Sequence, residues 1–60
     1  MSEKELLYVK DMLGHLEYMH NHLLISLDCI SEKEYTKIVQ KIIKKVEEMY
    51  SLFYSMLGGN

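Results

Sequence analysis

The stretch Leu27-Asp28-Cys29-Ile30-Ser31-Glu32-Lys33-Glu34-Tyr35 decides how this chain folds. Leading into it, apolar residues fall at Leu6, Val9, Leu13, Leu16, Leu23, Leu27 and Ile30, in steps that alternate three and four except across position 20. This is the a/d seam of a helix, broken at one a position by His20. After it, Tyr35, Val39, Ile42, Val46, Met49, Phe53 and Met56 repeat the pattern, widened by Ile43, Tyr50 and Leu57 into a broad bundle-type face. The first series extrapolates forward to position 34 and the second back to 32, so the phase slips inside the quoted stretch. A single straight helix would carry its apolar stripe off its own seam across that slip. The chain therefore reads as all-α, an antiparallel two-helix hairpin, with helix 1 over about 3–29, a corner at 29–31 and helix 2 over about 32–57.

The helix starts carry the same chemistry twice. Ser2-Glu3-Lys4-Glu5 and Ser31-Glu32-Lys33-Glu34 both fit a capping box, in which the Ser hydroxyl takes an orphan N–H and the Glu three residues on reaches back. Acidic residues in each first turn also suit the helix dipole. Divergence after each SEKE favours shared capping chemistry over internal duplication. Gly58-Gly59-Asn60 forms the tail, and its glycines suit the left-handed conformation in which many helices end.

Sixty residues make one domain over 1–60, and a core of this size supplies no more than ~3–5 kcal/mol. The chain lacks Pro, Trp, Ala and Arg, and its net charge is −2. Neither an acidic tail nor a polybasic arm is present. The uncharged stretch Asn21–Leu27 falls far short of the ~20 apolar residues of a membrane span, and Met1-Ser-Glu-Lys-Glu offers no signal-peptide core. One cysteine, Cys29, points to a reducing, cytoplasmic setting.

A lone hairpin leaves too much apolar surface in water. By the ~100° per residue of an α-helix, Leu7, Gly14, Tyr18, Ile25 and Cys29 lie nearly opposite the main seam of helix 1. Homodimerisation into a four-helix bundle would cover a second stripe, as would a helical protein partner. Leu13, Leu16, His20, Leu23, Ile42, Val46, Met49 and Phe53 are expected to carry the fold. Leu7, Tyr18, Ile25, Tyr50 and Tyr54 are the expected partner interface.

His20 reads first as a hydrogen-bonded core histidine and next as a register device, since one polar a residue can set alignment. Were it buried and neutral, acid would destabilise the fold. Glu17-Tyr18-Met19-His20 has the Glu-x-x-His spacing of carboxylate-bridged metal sites. Positions 17 and 20 are expected to face 43 and 40, however, leaving Glu47 and Glu48 about 6 Å too far along helix 2. Asp11 and His15, at i and i+4, are a second weak metal pair, with His22 nearby. A solvated helix face explains them more simply, and no metal or other cofactor is expected.

Lys33, Lys37, Lys41, Lys44 and Lys45 give residues 31–46 a net +3, whereas the rest of the chain carries −5. Phosphate binding to structured RNA or DNA is the alternative functional reading of this stripe. Absence of Arg and of interleaved aromatics weakens it. Without a nucleophile–base pair or a phosphate-cradling loop, the chain reads as non-enzymatic. The expectation is a small regulator, adaptor or assembly subunit acting through protein–protein association.

Overall fold

The computed structural model describes residues 1–58, which form two α-helices packed side by side. Helix α1 spans Glu3–Cys29 and α2 spans Lys33–Leu57, joined by residues 30–32. Their lengths match because the hairpin doubles back near the middle of the sequence. The described chain is an elongated slab, 45 × 17 × 11 Å. No helix among the described residues is long and apolar enough to cross a membrane.

The first capping box forms as its spacing predicts. Glu5 N–H donates to Ser2 Oγ at 3.2 Å, and Ser2 N–H donates to Glu5 Oε1 at 3.1 Å. The Ser2 side chain and then its backbone N–H hold the Glu5 carboxyl below its usual range.

The second box does not form. The N-cap of α2 is Glu32, one residue beyond Ser31, and it makes no side-chain cap. Residues 30–32 must reverse the chain without a glycine, so Ile30 and Glu32 both take extended backbone angles. Ile30 is half-buried at the hairpin end. Spending Ser31 on the reversal leaves it outside the capping position. The Glu32 carbonyl accepts the first backbone bond of the helix, from Thr36 N–H at 3.0 Å, and a second from Thr36 Oγ1 at 2.9 Å, while the orphan N–H groups of the first turn gain no side-chain cap.

At the other end, Gly58 has φ −72° and ψ −8°, right-handed angles rather than the expected left-handed ones. Gly59 and Asn60 lie outside the described residues.

The seam expected in α1 is the seam observed. Val9, Leu13 and Leu16 are buried, while Leu6, His20, Leu23 and Leu27 are half-buried along the same stripe. On α2 the inward stripe is Thr36, Val39, Ile43, Val46, Tyr50, Phe53 and Leu57. Ile42 and Met49, expected in the core, are instead 41% and 45% exposed. Two stripes one residue apart compete for the seam on α2, and the hairpin uses the one that the sequence reading placed at its margin. Leu16 at 3% and Val46 at 4% are the most deeply buried side chains, and none is fully enclosed.

Candidate functional site

The two broad faces of the slab differ in chemistry. On α1, Met12 and Met19 lie about a quarter-turn to one side of the buried stripe; on α2, Ile38, Ile42, Met49 and Met56 lie about a quarter-turn from theirs. Because the helices run antiparallel, these opposite rotations bring both sets to the same side of the hairpin. All six side chains are exposed. Tyr8 and Tyr35 extend this apolar face toward its two ends.

Glu17, Asn21, Glu47 and Ser51 are rotated the other way. They line one open groove between the helices, together with Leu16, His20, Val46 and Tyr50. At its centre His20 Nε2 lies 3.0 Å from Glu47 Oε2. The His20 side chain is 28% exposed, so it is a half-buried seam residue with a polar partner at the rim. Acid destabilisation through a buried neutral ring therefore loses its premise.

The expected spacing of His20 from Glu47 is corrected as well. Each Cα–Cβ bond tilts toward the N-terminus of its own helix. In an antiparallel pair those tilts lean His20 and Glu47 toward one another, closing the gap that backbone height alone leaves. Side-chain direction was the missing signal. Glu17 shares the groove, yet among the described residues no group of three or more His, Cys, Asp or Glu side chains is placed to hold a metal ion.

The second weak pair, Asp11 and His15, borders a shallow depression with Lys10, Gly14 and Tyr18. A Cβ built on Gly14 would meet nothing within 4 Å, so this is open surface on the outer side of α1. The Tyr18 ring lies 4.4 Å from that of His22, centroid to centroid, tilted by 51°.

The residues expected to form a partner interface do not converge. Leu7, Tyr18 and Ile25 are exposed along the outer side of α1, away from α2. Tyr54 is exposed and Tyr50 half-buried, their rings 6.2 Å apart and nearly parallel, near the polar groove. The continuous apolar surface is instead the methionine-rich face. Its signature in the sequence is the spacing of Tyr8, Met12 and Met19, which runs beside the main seam.

Lys33, Lys37, Lys41, Lys44 and Lys45 are all exposed, spread over the outer surface of α2. Lys45 Nζ stands 4.0 Å from Glu48 Oε2. Cys29 is a free, exposed thiol at the end of α1. No protein-family model, curated protein or solved structure matches this chain.

Proposed function

We propose that the chain acts by protein–protein association, as a small non-enzymatic regulator, adaptor or assembly subunit whose folded unit is completed by further helices. A homodimeric four-helix bundle is the form this reading takes. The observation that carries it is exposed area. A compact 7.1 kDa protein exposes about 4,100 Å², whereas this hairpin exposes 5148 Å². The excess, about 1,000 Å², matches the ~800 Å² that each partner contributes to a standard protein interface. Its radius of gyration points the same way: 14.0 Å, against about 10 Å for a compact domain of this length.

Apolar burial is also thin. Five buried side chains make a small core, and the methionine-rich face offers six more that are only partly covered. Covering it at ~25 cal/mol per Å² supplies stability that one hairpin lacks.

Sedimentation equilibrium over a range of concentrations tests the reading. A reversible dimer is expected, with resistance to urea rising as it forms. A folded monomer that persists to millimolar concentration would defeat the homodimer. Salt-dependent retardation of structured RNA would favour the lysine surface as the functional one.

A further inference from the structure

We infer that the occupant of the methionine-rich face is a second copy of this chain, docked so that the two hairpins point in opposite directions, with each α2 antiparallel to the other α2. This deepens the association reading and rests on it. The argument is the symmetry of the stripe. Ile42 and Met49 straddle a point between residues 45 and 46, and Tyr35 and Met56 straddle that same point at greater distance. On α1, Met12 and Met19 straddle a point between 15 and 16. Leu16 and Val46 line one groove, so the two midpoints sit at nearly the same height along the hairpin. One twofold axis, lying in the plane of the face and crossing the helices at that height, therefore serves both helices. It sets Ile42 against Met49 of the second copy and Met12 against Met19. A self-complementary patch of this kind is what an isologous dimer requires.

Charge selects between the two ways a twofold axis can stack these faces. An axis along the helices would place α2 over α1 of the second copy, with both turns at one end. Lys45 would then approach His15, and Lys41 would approach His22, while the acidic residue at those heights, Glu17, faces the groove on the other side. The crossing axis instead brings Lys41 within about one turn of Glu48 of the second copy. It also brings the two Lys45 side chains near the axis, and the Glu48 already 4.0 Å from each Lys45 offsets that repulsion.

Native Cys29 reports the answer without altering the interface. It is exposed, lies at the turn end, and sits about 20 Å along the helix from the axis at 1.5 Å per residue. In the crossing arrangement, spin labels on the two Cys29 thiols are separated by about 40 Å in pulsed dipolar spectroscopy. A dimer with labels within about 25 Å would overturn the topology and leave the association reading standing. Absence of any dipolar coupling, with a monomer in sedimentation, would remove both. Ile42→Glu tests the face: Ile42 is exposed in the hairpin, so the helices persist while the dimer dissociation constant rises by about 100-fold or more. A dimer unaffected by Ile42→Glu but dissociated by Leu7→Glu would place the interface on the outer side of α1 and overturn the proposal.

Discussion

His20 and Glu47, 27 positions apart in sequence, meet at 3.0 Å across the two helices. Glu47 is well exposed and His20 partly so, which limits the value of the contact to the ~0–1 kcal/mol of surface ion pairs. His20 interrupts an otherwise apolar stripe. His20→Leu, which trades the pair for continuous seam packing, should stabilise the protein by roughly 1 kcal/mol in urea unfolding. A loss of stability would show that the Glu47 contact outweighs apolar burial at this position.

The two SEKE segments should respond differently to the same substitution. Ser2→Ala removes a working cap, which costs about 0.5–2 kcal/mol. Ser31→Ala removes a hydroxyl that caps nothing, and its effect should fall within about 0.5 kcal/mol of zero. Thermal unfolding of both variants provides the comparison.

Acid should act at the first turn of α1. Hydrogen bonds from the Ser2 side chain and backbone hold the folded Glu5 carboxyl below its unfolded value. Stabilisation from that carboxylate is therefore present above an ordinary carboxylate pKa of about 4.3 and lost as pH falls through the lowered folded value. Protection of the first-turn amides, with the intrinsic exchange rate divided out, should fall below about pH 4 in the wild type. In Glu5→Gln the same amides should show no such step.

Depth of burial separates two aliphatic positions. Leu16→Ala opens a hole against the most enclosed part of the seam and should cost about 2–5 kcal/mol, which rivals the whole stability of a chain this size. At low concentration, Ile42→Ala should leave helicity nearly unchanged. Circular dichroism at dilute and concentrated protein distinguishes a fold contact from a contact between copies.

Gly14→Ala should stabilise α1. The position is mid-helix and a Cβ there meets nothing, so the substitution adds helix propensity without strain, by about 0.5–1 kcal/mol. A decrease in melting temperature would mean that the open surface over Gly14 is occupied.

Legibility in the sequence differed sharply between the helices. The α1 seam could be read directly, because its series from Leu6 to Ile30 is the longest, against one stripe nearly opposite and the short run of Tyr8, Met12 and Met19 beside it. On α2, Ile42 and Ile43, Met49 and Tyr50, and Met56 and Leu57 are adjacent apolar pairs in which either member could turn inward. Periodicity identifies both stripes there, and the packing of the pair decides between them. The reversal was legible from the phase slip, but not the position of the cap. That depended on how three residues without glycine manage to turn. Contact between His20 and Glu47 needed the lean of both side chains, which backbone height does not contain.

The polar groove has a consequence for how far assembly can proceed. Apolar surface on both broad sides would let hairpins stack on one another without limit, as plates do. Glu17, His20, Asn21, Glu47 and Ser51 set charged and polar groups among Leu16, Val46 and Tyr50 on the other side. In the proposed dimer, a pair joined through the methionine-rich side would turn two such backs outward, and growth in that direction would end at two.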